Sequence, residues 1–472
     1  MIEGLKPYAE YQESGELWLG RIPSDWRLER TKTLFRLRTE KSMHGHGQEL
    51  LSIYTHIGVR PRKDLEQKGN KASTTDGYWI VKRGDFIVNK LLAWMGAVGV
   101  SHYDGVTSPA YDILRPVTKL HPDYYHNLLR TKIYLQQFKC RSRGIMDMRL
   151  RLYFDQFGQI PLLVPPLNAQ AAVVRFLDHA NRKFDGFIRA KRKLIALLNE
   201  QKQAIIHRAV TRGLNPDVKL KPSGLPWLGD IPAHWETRKI KSLVSTVGGM
   251  TPSKSAAEFW GGRIPWVSPK DMKVREIWDS RDHITNAALR QTGVSLIQPP
   301  AVLIVVRGMI LARTFPTAIT KVPVTVNQDM KALLPRPNLL PDYFVSLLTG
   351  IQRDLLQLVE IAGHGTCCLR TDSWENLVLP LPPLNEQEAI GAFLASELLI
   401  LNTAIARTER EIALMQEYRT HLTADIVTGK LDVREAAAKL PESEDAAEPF
   451  PEADTFDEDP LEEADAQGET EA

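Results

Sequence analysis

Two phrases occur twice in this chain, and that duplication limits its architecture more than any other feature. Residues 14–26 read SGELWLGRIPSDW and residues 223–235 read SGLPWLGDIPAHW, with eight of thirteen positions identical. Residues 160–177, IPLLVPPLNAQAAVVRFL, return as residues 377–394, LVLPLPPLNEQEAIGAFL. The first phrase repeats at an offset of 209 residues and the second at 217, so the second copy carries more sequence between its markers. The endings also match, VTRGL at 210–214 against VTGKL at 427–431. A packed turn explains one Trp–Ile–Pro phrase but not a pair of them. The chain therefore reads as two similar units with unlike contents between shared boundaries. The period is far beyond the ~20–50 residues of a solenoid.

Each Pro-Pro-Leu-Asn phrase reads as a helix start, because the prolines end a strand-like run and Asn is a good N-cap. The stretch after each phrase is long and free of proline. Residues 168–211 as one helix would extend about 66 Å at ~1.5 Å per residue. Val173, Leu177, Ala180, Phe184, Phe187, Leu194, Leu198 and Ile205 keep a four–three spacing, with Lys191 and Gln201 in the remaining places. Leu398, Leu401, Ile405, Ile412, Met415, Leu422 and Ile426 do the same, interrupted by Thr408 and Arg419. Such a period predicts a coiled-coil seam. Two matched helices of this length in one chain favour antiparallel pairing over separate packing on their own domains.

Residues 27–160 and 236–376 contain short β-rich runs punctuated by Gly, Pro, Asn and Asp, predicting α+β domains. The net charge of +3 conceals a division. Residues 441–472 hold fourteen Asp or Glu and no Lys or Arg, which leaves +17 on residues 1–440. The composition of this tail predicts disorder, and the basic body suits a polyanionic partner. Cys140, Cys367 and Cys368 are too few and wrongly spaced for a zinc knuckle or redox pair, which points to a reducing cytoplasm. The N-terminus does not read as a signal peptide, and no run comes near the ~18 apolar residues of a membrane helix.

These phrases resemble the specificity subunits of type I restriction–modification systems over about residues 11–432. In the first half the likeness is carried by LLSIYTHIGVRPR (50–62), RGDFIVNKLLAWMGAVGVSHYDGVTSPAYDILRP (83–116) and MRLRLYFDQFGQIPLLVPPL. In the second it is carried by GGMTPSKSAAEFWGGRIPWVSPKDM (248–272), VNQDMKALLP (326–335) and GHGTCCLRTDSWENLVLPLPPLNEQ. The resemblance implies a pseudo-twofold α+β molecule with two α/β target-recognition domains, residues 1–165 and 214–382. Two spacer helices, 166–213 and 383–432, would pair as an antiparallel coiled coil, followed by the acidic tail at 433–472. Each recognition domain would read one half of a bipartite, asymmetric site on double-stranded DNA, with the helices as the ruler between them. The partners implied are two modification (methyltransferase) subunits and, optionally, two restriction (translocase and nuclease) subunits. S-adenosylmethionine would belong to the former, and ATP with Mg to the latter. This chain would hold no cofactor and no metal.

DNA contact calls for Arg and Lys at phosphates, and for Arg, Lys, Asn, Gln or Ser at base edges. Candidates in the first domain are Arg60, Arg62 and Lys63 in a basic loop that continues to Lys68 and Lys71. Lys90, Trp94 and Ser108 come next, then Arg141, Arg143, Arg149 and Arg151 in one short segment. In the second domain they are Ser253, Lys254, Arg263, Ser268, Lys270, Arg307, Asn327, Gln328 and His364. Sequence signs of catalysis are weak. No Asn/Asp-Pro-Pro-aromatic phrase of an adenine methyltransferase occurs, and no phosphate-binding P-loop. His44 and His46 in HGHG read as a loop rather than a metal site. A binding subunit is the expectation. The alternatives are a chain with its own methyltransferase or nuclease site, and a coiled-coil scaffold that reads no sequence.

Overall fold

The computed structural model describes residues 5–43, 48–64, 75–146, 149–362 and 365–441. Most of the acidic tail, His364, Lys68, Lys71, His44 and His46 lie outside the described residues. The chain divides into two compact units, both discontinuous or internal rather than sequential halves. Unit 1 comprises residues 1–187 and 414–472, and unit 2 residues 188–413.

Unit 1 is organised on a four-stranded antiparallel sheet in the order Phe35–Arg38, Tyr111–Pro116, Phe86–Asn89, Val98–Val100. The central strand FIVN is buried at every position, which is why it reads as a continuous apolar run rather than an alternating one. Phe35 stacks edge-on with Phe86 and Tyr125, and Tyr124 edge-on with Trp26. These rings fill the space between the sheet and the helix Pro122–Leu129. Unit 2 has a five-stranded sheet in the order Val244–Gly248, Met330–Pro335, Val302–Val305, Thr317–Thr320, Glu276–Ile277. Its last pair is parallel. A second, three-stranded sheet is centred on Trp260–Val267.

The repeated phrases form the same joints in both units. Gln170 and Gln387 are each 1% exposed, so their amides must find partners inside. Gln170 accepts the His121 backbone N–H at 2.8 Å and donates to the Pro165 carbonyl at 2.8 Å. Gln387 accepts the Leu340 N–H at 2.8 Å and donates to Asn338 and Pro382 carbonyls at 3.0 and 2.9 Å. His121 and Leu340 are the N-caps of helices that begin with a further repeat, Pro-Asp-Tyr. The hydroxyls of those tyrosines mark the other joint. Tyr124 donates to the Val427 carbonyl at 2.9 Å and Tyr343 to the Val210 carbonyl at 3.4 Å. The globular part of each unit is thus held by the start of one long helix and the end of the other. The repeated tryptophans complete the second joint. Trp26 is 1% exposed and Trp235 fully buried. A Cβ on Gly429 would lie 3.0 Å from Trp26, and one on Gly213 would lie 3.2 Å from Trp235.

The long helices are Leu167–Arg212 and Leu384–Val427. They pair antiparallel: in unit 1 Phe184 stacks on Tyr418 and Asp185 accepts from Arg419 at 2.8 Å. In unit 2 Lys191 donates to Glu411 at 2.7 Å and Lys202 to Asn402 at 2.8 Å. The seam expected on the second helix is found. On the first it needs correction, because Phe187 and Leu194 are 57% and 41% exposed. Their neighbours Ile188 and Ile195 turn inward instead. Ten inward steps from Val173 to Ala209 average 3.6 residues, the period of a straight helix, where the strict four–three reading assumed 3.5. A second correction concerns membranes. By length and composition alone the helix Leu384–Val427 includes an 18-residue stretch apolar enough to cross one, and 22% of that stretch is buried.

Candidate nucleic-acid interface

In unit 1 one end of the sheet gathers most of the cationic candidates. The strand Phe86–Asn89 stops where the Asn89 carboxamide oxygen accepts the backbone N–H groups of Leu91 and Leu92, at 3.0 and 3.3 Å. The turn Ala93–Met95 comes next, closed by Gly96 in the left-handed region at φ 104°. A Cβ there would lie 3.2 Å from the Thr55 carbonyl. Arg130 clamps the turn from beneath, donating to Gly96 O at 2.8 Å, Val98 O at 3.2 Å and Thr55 O at 2.5 Å. Burial lowers its pKa, but three carbonyl acceptors suit the charged guanidinium.

Lys90 is not a free cation. Its ammonium donates to the Pro109 carbonyl at 3.2 Å and sits 3.5 Å from Asp112, whose carboxyl burial pushes upward against the pull of Lys90. Trp94 carries the Lys139 ammonium 4.6 Å above its ring. The helix Lys132–Arg141 then runs into the arginine segment. Arg143 and Arg151 exchange two backbone hydrogen bonds of 2.9 Å, and Leu152 donates to the Lys90 carbonyl at 2.9 Å. The loop between them is tight enough that a Cβ on Gly144 would come within 2.4 Å of the Arg149 carbonyl. Arg143, Arg149 and Arg151 are exposed and Arg141 half-buried. Arg143 pairs with Asp155 at 2.9 Å, and Arg141 donates to Gln137. Ile145 at the loop is 99% exposed.

The remaining unit 1 candidates lie elsewhere on it. Arg60 is half-buried on the strand Gly58–Pro61. Arg62 donates to Ser52 at 3.0 Å, and Lys63 pairs with Glu49. Ser108 accepts the Ala110 N–H at 3.3 Å within its own turn.

Unit 2 repeats the constellation with different residues. The strand Val302–Val305 leads to Arg307, whose backbone bridges to Cys368. Gly308 donates to Cys367 O at 2.9 Å and Leu369 to Val306 O at 2.8 Å. These bonds tie the hairpin Val359–Ile361 and Cys367–Leu369 to the turn Met309–Ala312. Leu311 anchors that turn while Met309 stays 64% exposed, and Ile361 on the hairpin is 76% exposed. Beside them a loop is held by tryptophans. Trp266 and Trp260 pack edge-on at 5.1 Å, and their indoles donate to Met250 O and Ser253 O at 3.0 Å each. A Cβ on Gly249 would overlap the Asn327 carbonyl at 1.8 Å, so only glycine allows this crossing.

Ser253, Lys254, Arg263, Lys270, Arg307 and Gln328 are exposed, and Gln328 accepts from Thr251. Ser268 and Asn327 are 8% and 6% exposed. Ser268 forms a capping box with Asp271, and the Asn327 amide engages Asp329 at 3.1 Å, so both serve local turns. Sequence reading missed the exposed Met95, Ile145, Met309 and Ile361, since their residue types suggest core. It also missed Arg130 and the Pro-Asp-Tyr repeat, the latter visible as PDYY against PDYF. Among the described residues, no group of three or more His, Cys, Asp or Glu is placed to hold a metal.

Comparisons with known proteins bear on the family and the fold. Residues 232–412 match the family described as type I restriction modification DNA specificity domain. Over 185 residues the chain is 37% identical to the EcoR124I/EcoR124II specificity subunit of Escherichia coli, covering 39% of this chain and 45% of that one. It is 31% identical over 173 residues to the MjaIX specificity subunit of Methanocaldococcus jannaschii, covering 36% and 39%. The chain thus spans less than half the length of these two relatives. The MjaVIII specificity subunit of the same archaeon matches more thinly but further, 21% identical over 88% of this chain and 95% of the relative. A solved chain from work on complex assembly and conformational transition of the type I R-M system has the same fold. Its TM-score is 0.63 at 15% identity, over 87% of this chain and 99% of that one.

Proposed function

From the premise that the chain belongs to the type I restriction–modification specificity subunits, we propose that it is the DNA-recognition and assembly subunit of such a complex. Each unit reads one half of a bipartite site on double-stranded DNA. The observation that carries this reading is the pairing of identical joints with unlike contents. Gln170 and Gln387, Tyr124 and Tyr343, and Trp26 and Trp235 stand at corresponding joints of the two units and are buried there, while the cation-bearing loops they support differ. That is the design needed to exchange a reading surface without disturbing its mount.

The partners are two modification subunits, which carry S-adenosylmethionine and methylate adenine, and optionally two restriction subunits that use ATP and Mg. A surface suited to a protein partner lies on the second long helix within unit 2. Phe393, Leu399 and Ile400 are 39%, 68% and 63% exposed there, more apolar surface than a lone solvated helix presents. The arginines of unit 1 supply phosphate contacts.

The test is to co-express the chain with its modification subunit and map methylated adenines in the host genome. A two-part motif that appears only when both proteins are present is expected, with one specificity chain to two modification chains by native mass. Methyl transfer by the isolated chain, or methylation without a motif, would overturn the proposal.

A further inference from the structure

Exposed apolar side chains scattered singly on a surface need no explanation. Here they recur at matching places in two units whose contents otherwise differ. In each unit the central strand leads to a cation, Lys90 or Arg307, followed by a 3₁₀ turn; the chain there is bonded in unit 1 to the segment closed by the Arg143–Arg151 backbone bridge, and in unit 2 to the hairpin Val359–Ile361 and Cys367–Leu369. The turn exposes a methionine, Met95 at 41% or Met309 at 64%. The bend after Arg143 exposes Ile145 at 99%, and the unit 2 hairpin exposes Ile361 at 76%.

Both turns are rigidly mounted, unit 1 by Arg130 and unit 2 by the Gly308 bond to Cys367. In unit 1 the isoleucine lies in a loop flanked by Arg141, Arg143, Arg149 and Arg151. A solvent-facing Ile amid arginines has no stabilising role in the free chain. Beside a polyanion whose interior is a stack of apolar base faces, it has an obvious one.

We propose that Ile145 and Ile361, together with the exposed methionine on the turn of the same unit, are wedges that press into the base stack of the bound duplex. The adjacent arginines hold the phosphates. This rests on the reading of the chain as a DNA-recognition subunit. Apolar wedges of this kind unstack a base step and bend the helix, and the cost depends on which step is deformed. The wedges would therefore contribute selectivity that no hydrogen bond to a base edge records. Arg130 would be a positioning residue for Met95.

The experiment uses the complex with its modification subunits and duplexes carrying its methylation motif, with 2-aminopurine placed at successive steps of each half-site. The intact complex should raise 2-aminopurine fluorescence at one step or a short run of steps in each half. Ile145→Ala should abolish the rise in one half-site only, and Ile361→Ala in the other. Each should weaken motif binding roughly tenfold or more through lost apolar contact, with affinity for random duplex and the salt slope unchanged. Replacing the four arginines by Gln should do the reverse, lowering the salt slope and all affinities together.

Unaltered fluorescence and affinity in both alanine variants would overturn the proposal. So would a loss of modification-subunit binding in place of DNA binding, which would mark the isoleucines as a protein contact. If the intact complex does not prefer its motif to random duplex, the underlying reading fails instead, and that is seen before any variant is made.

Discussion

Replacing Gln387 with Leu should unseat the globular part of unit 2 from the helix Leu384–Val427 while leaving unit 1 intact. The buried amide makes three hydrogen bonds, to Leu340 N, Asn338 O and Pro382 O, all between 2.8 and 3.0 Å. Leucine fills similar space but leaves one backbone N–H and two carbonyls without their partner. An orphaned buried donor costs about 1–3 kcal/mol, and each further lost bond about 1 kcal/mol net. The expected destabilisation of unit 2 is about 3–5 kcal/mol. Gln170 makes two such bonds, so Gln170→Leu should cost unit 1 about 1 kcal/mol less. Gln387→Glu separates hydrogen bonding from packing. Its second carboxylate oxygen would face the Asn338 and Pro382 carbonyls, which disfavours the charge and raises the folded pKa above the ordinary ~4.3. That variant should be least impaired below the ordinary value, and should lose stability as pH rises through the raised one. Urea unfolding gives the energies, and amide hydrogen exchange at Leu340 locates them. If Gln387→Leu stays within ~0.5 kcal/mol of the parent, the range of a neutral surface change, and Leu340 exchange is unaltered, the joint does not hold the domain.

Three further outcomes are expected. His126 packs against Gly99 and Gly58, and burial, reinforced by Arg130, lowers its pKa to about 4. The folded state therefore resists protonation that the unfolded chain accepts near 6.5. Unit 1 should be indifferent to this group above pH 6.5 and lose about 2 kcal/mol by pH 5, and His126→Gln should flatten that slope in urea unfolding. Neutralising Arg141, Arg143, Arg149 and Arg151 should weaken binding to every duplex and reduce the salt dependence, because phosphate contacts carry no sequence information. A changed motif at constant salt slope would refute that. Exchanging residues 27–160 for those of a relative should alter one half of the methylated motif; a change in both halves would refute the two-reader proposal.

What the sequence revealed and what it hid divide along physical lines. The Trp–Ile–Pro phrase reads as packing, and Trp26 and Trp235 are buried as that reading requires. The Pro-Pro-Leu-Asn starts were legible because prolines and an Asn cap act locally. The inward face of the first helix was not, since Phe187 and Ile188 are equally apolar neighbours and only tertiary packing selects between them. Contact candidates suffered from a similar ambiguity. Ser268 and Asn327 are residue types that suit a base edge and a turn equally well, and here the turns claim them. Lys90 and Lys63 look available in sequence but meet Asp112 and Glu49, carboxylates 22 and 14 positions away that the fold brings alongside. The exposed Met and Ile were invisible for the converse reason. Apolar type predicts burial, and only the turn and hairpin geometry holds them out.

The two copies of the helix-end joint also differ in a way that the sequence separation of their parts explains. In unit 2 the long helix, Gly213 and Trp235 lie on one continuous stretch, and the Trp235 indole donates to Glu386 at 2.9 Å. In unit 1 the same joint is closed between segments 418 residues apart in sequence. The residues outside the repeated phrases do this. Lys6 forms a backbone bridge with Asp432, and the Tyr11 hydroxyl lies 3.2 Å from the carbonyls of Gly429 and Lys430. Arg434 covers the Tyr8 ring at 4.8 Å while pairing with Asp432 and Asp25. Ala169 stands where unit 2 has Glu386, and the Trp26 indole N–H has no hydrogen-bond partner among the described residues. Unit 1 thus replaces a peptide connection and an indole acceptor with a clasp of aromatic and ionic contacts. Residues 5–13 and 431–440 are explained by this closure, which leaves the loops between the joints free to differ from one unit to the other.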